Sequence, residues 1–378
     1  MIGLGIAGHA ALLALRDSGR SIITIAPAPL ASEGKGITKD GGDRVGDSLS
    51  PAANATLRDL GLRDAFAAVP HRNANATYAA WGSSLLFERN AIVHTEGPGY
   101  VIDRPAFEKM LADAVAPAGI IRREGALVRT ERHAGRWRLT FNNHRTISAR
   151  FVLDCSGRRA VFAGAVARRH RADRLVAACA FLPQCDTSIE PTPATLIEAV
   201  PDGWWYAALL PDNRISLALF SDADLLPRGL SHDLNAWRGA LAGTRYVKRW
   251  LDSAGYRADA PPRLTGAGTA WLTPVAGDGW AAAGDAAASF DPLSSHGIAS
   301  ALWSGRQAAL AAAAHLTGDG RPLRRYAATI DAAVRNFQMQ RAAIYSAERR
   351  FAGQPFWQLR IEAAATALPD ITRRAKLL

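Results

Sequence analysis

The stretch GDAAASFDPLSSHGI, Gly284–Ile298, sets two aspartates, a proline and a glycine among small residues. It follows the apolar run Trp280–Ala283 and leads into GIASALWSGRQAALAAAAHL, which reads as a long alanine-rich helix. Its acidic groups stand more than 270 residues after the glycine-rich opening GLGIAG. The ligand is indicated at the opposite end of the chain.

There, IGLGIAGHAALLALRDSG places Gly3, Gly5 and Gly8 in the dinucleotide-binding spacing, followed by a helix through Arg16. The first glycine permits a tight turn, the second lets a pyrophosphate approach the backbone, and the third lets helix and strand pack closely. The helix N-terminus then faces the phosphates with unpaired N–H groups and a favourable dipole. SIITIAP follows as the strand that a βαβ unit requires. Two departures stand out. The strand before Gly3 is reduced to Met1 and Ile2, and Ala26 and Pro27 occupy the place of the acid expected to bind ribose. The ribose is then expected on backbone, or on Ser32 or Glu33.

A hydrophobic fraction of 48% and a charged fraction of 21% describe a globular protein with a substantial core. No apolar run is long enough to span a membrane, and no basic region, apolar stretch and cleavage site open the chain. Cys155, Cys179 and Cys185 fit neither a metal-ligand nor a paired-disulfide spacing, which points to a reducing cytoplasm and no metal. The net charge is +11, 45 basic residues against 34 acidic, and all but five of the basic residues are arginines. Such a surface steers acidic partners. Nucleic acid is not expected, because no basic run interleaved with stacking aromatics and no helix-turn-helix or zinc-finger pattern occurs.

Between the two glycine-rich ends, RPAFEKMLADAVAPAG is an amphipathic helix with proline at its start and glycine at its end. GRWRLTFNNHRTISARFVLDCSG alternates around Asn142-Asn143 as a hairpin and runs into a further strand. Residues 174–222 are again strand-like, and the tail from Leu323 reads as helical and basic. The expected fold class is α/β: a Rossmann-like nucleotide-binding domain (1–70, 102–165 and 263–320) interrupted by an antiparallel-sheet substrate domain (71–101 and 166–262), with a helical C-terminal segment (321–378).

Gly3/Gly5/Gly8, LDCSGRR (153–159) and GDAAASFDP (284–292) stand in an order that resembles the flavoprotein monooxygenases of the aromatic-hydroxylase fold. The resemblance implies FAD, with its ADP part on the glycine loop, Asp154 and Gly157 near the phosphates, and Asp285 accepting a ribityl hydroxyl. It also implies Pro292 and Gly297 framing the isoalloxazine, backbone N–H groups of Gly297 and Ile298 at its pyrimidine edge, and Arg44 and Arg104 as further cofactor contacts. RVGDSL, AWGS, GWWYAALLPD and DPLSSHGI look like the halogenase-like branch of this superfamily. Within that branch they are most similar to flavoproteins that hydroxylate a partner protein's tryptophan during cysteine tryptophylquinone maturation, as for quinohemoprotein amine dehydrogenases.

Halogenases of the branch depend on a lysine soon after the segment matching GDS (46–48), yet no lysine occurs between Lys39 and Lys109; His71 and Arg72 stand there instead. Their Gly-Trp-x-Trp-x-Ile-Pro motif is altered here to GWWYAALLP. The resemblance therefore implies oxygen insertion into an aromatic ring through a flavin C4a-hydroperoxide, with a tryptophan of an acidic protein or peptide partner as substrate. Two alternatives stay open: a small-molecule aromatic hydroxylase or halogenase, and a flavin-fold assembly protein without turnover. The reductant, NAD(P)H used directly or through a flavin reductase, stays open too. Asp47 is the candidate to orient or deprotonate a ring N–H, with pairing to Arg44 as the plainer role. His296 is the candidate proton donor, with a helix-start role as the alternative. Trp81, Trp204 and Tyr206 are candidate pocket residues, weighed against core packing, and Asp291 is expected to hold the turn before Pro292.

Overall fold

The computed structural model describes residues 1–26, 46–74, 76–90, 96–116 and 120–363. Its first helix, α1 (Ile6–Leu15), is apolar on every side and buried along nearly its whole length. The parallel sheet beneath it runs in the order Ile121–Glu124, Ile23–Ala26, Ile2, Val152–Asp154, Trp280–Ala282. The shortened first strand is thus one residue: Ile2 bridges Ile25 and Asp154, its N–H donating to the Leu153 carbonyl at 2.9 Å and its carbonyl accepting from Cys155 at 2.7 Å. On the other side the Gly3 N–H donates to the Ile25 carbonyl at 2.8 Å and the Ile25 N–H to the Met1 carbonyl at 2.9 Å, so the start of the glycine loop is tied to both neighbouring strands.

Three more helices position the site. α2 (Arg104–Val115) begins at Asp103, whose carboxylate caps the Ala106 N–H at 2.9 Å. α3 (Gly297–His315) crosses α1, and its small residues let the backbones approach closely. At Gly305 an added Cβ would lie 2.2 Å from the Ala7 carbonyl oxygen. α4 (Arg321–Ala347) lays an apolar stripe of Leu323, Tyr326, Ile330 and Val334 on the core of the parallel sheet.

The second large sheet has seven strands, in the order Arg263–Gly266, Leu175–Leu182, Ile215–Asp222, Gly203–Leu209, Thr195–Val200, Ala76–Ala80, Phe87–Asn90. It is antiparallel except where Ala76–Ala80 joins Thr195–Val200 in parallel, a pairing between segments far apart in sequence that periodicity does not reveal. Arg263–Gly266, expected in the nucleotide-binding part, pairs instead with Leu175–Leu182. Alternate residues of the strand Gly203–Leu209 enter different cores. Trp205 meets Trp237 under the helices Leu234–Ala242 and Val247–Ser253, whereas Trp204 packs with Phe220 of the neighbouring strand and with Tyr345, Phe356 and Trp357 from the C-terminal part of the chain. The predicted hairpin at Asn142-Asn143 joins Arg136–Phe141 to Thr146–Ala149. No helix among the described residues is long and apolar enough to cross a membrane.

Candidate active site

The glycine loop is shaped by close approach. Gly3 has φ +94° and an added Cβ would sit 2.3 Å from the Cys155 carbonyl oxygen; at Gly8 it would sit 2.5 Å from the Gly3 oxygen. Gly5, the residue that starts α1, is different: nothing lies within 4 Å of the Cβ position, and no side chain caps the helix. An open backbone cradle at an uncapped helix N-terminus suits a phosphate group. Gly157, at φ +67°, likewise faces open space.

Asp285 stands on a short 3-10 turn, Gly284–Ala286, directly after the strand Trp280–Ala282. Its Oδ2 lies 3.5 Å from Arg158 Nε. The side chain is 38% exposed, yet the cleft walls remove enough water to push the carboxyl above its ordinary pKa, opposed by Arg158 and then Arg104. Arg104 Nη1 donates to the Gly46 carbonyl at 2.7 Å and its Nε to Glu108 at 2.7 Å, so it fastens α2 to the segment before Asp47. Asp154 does not face this cleft freely. Its oxygens accept from the Ser156 N–H and hydroxyl at 2.9 and 2.5 Å and from the Phe162 and Ala163 N–H groups at 2.9 and 2.7 Å, a buried cap that is fully used. Arg44, Ser32 and Glu33 fall outside the described residues.

Beyond Asp285, the Asp291 side chain accepts from the Leu293 N–H at 3.1 Å and shapes the 3-10 turn Pro292–Ser294, as expected of a residue holding that turn. It does more. Its Oδ2 accepts from Tyr345 Oη at 2.8 Å and Arg341 Nε at 3.2 Å, both on α4. Tyr345 Oη in turn accepts from Trp204 Nε1 at 3.1 Å. Sequence reasoning missed Arg341 and Tyr345, which no motif marks. His296 is exposed, and its Nδ1 engages the Ser294 carbonyl of its own turn; Gly297 opens α3 with free space at its Cβ position.

Asp47 follows Gly46, the residue that Arg104 holds. It is 4% exposed, and its Oδ1 accepts from Tyr206 Oη at 2.7 Å, a bond between segments that are remote in sequence. Oδ2 is buried without a hydrogen-bond partner among the described residues. Burial pushes the carboxyl above its ordinary pKa, opposed by the Tyr206 and Ser216 hydroxyls. Burial and the Asp47 charge push the Tyr206 phenol up as well, so Tyr206 is the donor of the pair. A small cavity beside them is lined by Asp47, Ile102, Arg104, Phe181 and Leu210.

Two expected pocket residues lie elsewhere. Trp204 is 1% exposed and stacks on Phe220 at 4.0 Å, so it belongs to the core. Trp81 donates its indole N–H to the Ile344 carbonyl at 2.8 Å and meets Trp204, Tyr345 and Trp357 edge-on. His71 stacks on Phe66, and Arg72 donates to the Leu210 carbonyl at 2.9 Å. No cluster of three metal-ligating side chains occurs among the described residues, and Cys155 and Cys179 are buried thiols pushed up to about 12.

A glycine loop at an uncapped helix end, and the Asp285 carboxylate beside Arg158, are features that suit a dinucleotide in this α/β protein. The chain belongs to the tryptophan halogenase family, whose model matches residues 71–374. The putative FAD-dependent oxidoreductase LodB of Marinomonas mediterranea is 27% identical over 289 residues, covering 74% of this chain and 76% of LodB. Among solved structures, the peptidyl tryptophan dihydroxylase QhpG, essential for tryptophylquinone cofactor biogenesis, superposes with a TM-score of 0.71 at 24% identity, over 95% of this chain and 77% of QhpG. The myxobacterial chondrochloren halogenase CndH superposes with a TM-score of 0.77 at 21% identity, over 98% of this chain and 88% of CndH. The two structural likenesses establish a shared mixed α/β fold.

Proposed function

We propose that this chain is an FAD-dependent monooxygenase that hydroxylates an aromatic ring, a tryptophan of an acidic peptide or protein partner, in the service of quinone-cofactor maturation. The flavin-dependent class follows from the family. LodB favours an FAD-dependent oxidoreductase, QhpG favours oxidation of a peptidyl tryptophan, and the absence of a lysine between Lys39 and Lys109 argues against halogenation. The family model and CndH favour the second reading, a halogenase, which the same experiment tests.

The residues present fit FAD. Gly5 and the α1 N-terminus would hold the diphosphate, with Arg104 and Arg158 supplying positive charge, and Asp285 would take a ribityl hydroxyl. Gly297 and Ile298, at the start of α3, are proposed at the pyrimidine edge of the ring. Bound and reduced, FAD supplies the activation of O₂. The chain's own contribution is positioning and proton handling. Asp47 carries the reading: its buried, unpartnered Oδ2 would accept the ring N–H of an indole once the cavity beside it opens to admit the ring, while the Tyr206 hydroxyl fixes the carboxylate's orientation. The domain division given above, with Arg263–Gly266 moved to the substrate part, and a cytoplasmic location go with this proposal.

The deciding experiment reconstitutes the purified chain with FAD, reduces it under air beside a tryptophan-containing polypeptide, and follows mass. A gain of one or two oxygens on the polypeptide is expected. Chloride incorporation would establish the halogenase instead, and oxygen gained only by free aromatics would remove the polypeptide from the proposal.

A further inference from the structure

Residues 158–174 read RRAVFAGAVARRHRADR, with arginines at 158, 159, 168, 169, 171 and 174. Asp173, the one carboxylate within this run, is taken by Arg341 Nη2 at 2.7 Å. The centre of the run is the strand Arg168–Arg171, the outermost of a three-stranded sheet in which Ala270–Thr273 is central and Ala288–Ser289 closes the other side. Its outer backbone edge pairs with no strand among the described residues.

Arg159, Arg168 and Arg171 are exposed, and among the described residues none of the three pairs with a carboxylate. Arg169 is half-buried and donates to the Arg158 carbonyl at 2.6 Å instead of to an acid. Its guanidinium is held below its ordinary pKa by burial and then by the Arg171 and Arg158 charges. Charged edges commonly serve to block aggregation, but that role asks only for scattered charge. Here like charges crowd each other, a cost that an incoming anion would relieve.

The position of the strand narrows the anion. At one end Arg158 reaches Asp285; at the other, Asp173 passes through Arg341 to Asp291 and the turn Pro292–Ser294. The strand is therefore tied, through the residues that flank it, to the candidate cofactor site. His170, the aromatic residue of this strand, is stacked on Trp271 at 5.3 Å and is not offered to a base.

We propose that the edge Arg168–Arg171 is the docking strand for an extended, carboxylate-rich segment of the polypeptide substrate. Backbone hydrogen bonds to the open edge would set its register, and carboxylates would meet the guanidiniums of Arg169 and Arg171. This rests on the reading of a polypeptide substrate. Its test needs no turnover, so a failed oxygenation assay and a failed docking surface are told apart.

The probe is a synthetic peptide of about 12 residues alternating glutamate and serine, long enough to cover a strand of ordinary length. Its binding to the FAD-loaded full chain is measured by fluorescence anisotropy at about 50 and 200 mM salt. Replacing Arg169 and Arg171 by glutamine should weaken binding at least about tenfold, the loss of roughly one charge-assisted hydrogen bond, and flatten the salt dependence. Replacing the exposed Arg138 and Arg145, which removes the same charge from a different sheet, should leave it unchanged. Arg171→Gln alone, at an exposed side chain, serves should the double variant fail to fold. Equal losses in the two double variants, no measurable binding by the wild type, or tighter binding of a single-stranded oligonucleotide of equal charge would overturn the proposal.

Discussion

Replacing Gly305 by alanine adds one methyl group where α3 crosses α1. On an open helix surface the change is favourable by about 1 kcal/mol, because glycine loses more backbone freedom on folding. At Gly305 the new carbon would lie 2.2 Å from the Ala7 carbonyl oxygen and 2.9 Å from both its Cα and its carbonyl carbon, all rigid backbone. Contacts below 3.0 Å essentially do not occur, so the helices must part by ~0.8 Å. Overpacking of this kind costs ~1–3 kcal/mol, which reverses the sign of the substitution. Gly239, inside the helix Leu234–Ala242, has nothing within 4 Å of its Cβ position. Gly239→Ala should therefore stabilise by ~0.5–1 kcal/mol. Urea unfolding with an unchanged slope measures both. FAD occupancy should also fall in Gly305→Ala, since Ala7 lies in the first turn of α1 beside the Gly5 cradle. A Gly305→Ala midpoint equal to or above wild type would refute the close crossing, and a loss at Gly239 would refute the reasoning on sign.

Asp285→Ala should raise the FAD dissociation constant roughly tenfold to a hundredfold, the worth of a hydrogen bond to a charged group; wild-type occupancy on gel filtration would remove Asp285 from the site. Asp47→Asn should keep its FAD and lose oxygenation by ~10²-fold or more, with the wild-type rate rising with pH through an apparent pKa above 3.8 that the variant lacks. The same shift predicts a stability trend. Since the folded-state pKa lies above the unfolded one, the Asp47 contribution is fully present below pH 3.8 and is lost as pH rises through the folded value. The stability of the wild type relative to Asp47→Asn should therefore improve on acidification; a difference independent of pH would contradict the buried position. Arg360→Ala strips the buried Asp222 of bonds at 2.7 and 2.8 Å and should cost ~3–5 kcal/mol, much of it restored when Asp222 is also replaced.

The glycine loop and the Asp285 turn are legible in sequence because each is a local device. Gly3 and Gly8 are where a Cβ would strike neighbouring backbone, and Gly5 is where it would strike nothing, so residue type and spacing carry the information. Asp285 needs only a strand before it and a turn after it. Trp204 and Trp81 misled because alternation along a strand tells which face a ring occupies and not what covers that face. The C-terminal aromatic residues Tyr345 and Trp357 cover it here. The Asp47–Tyr206 and Asp291–Tyr345 bonds join segments whose pairing depends on how two sheets and α4 meet, which no local pattern encodes. Asp154 shows the converse: the resemblance implies it near the phosphates, yet its carboxylate is consumed by four neighbouring donors.

The Tyr345 hydroxyl, which accepts from Trp204 and donates to Asp291, bears on how this chain exchanges parts with its relatives. Recombination that replaces the seven-stranded sheet alone, to graft on another enzyme's substrate preference, would separate Trp204 from Tyr345 and Asp222 from Arg360. The unit of exchange is the sheet together with residues from Arg341 through Arg360. A graft limited to the contiguous middle of the chain would inherit a buried acid and a tyrosine selected for different neighbours.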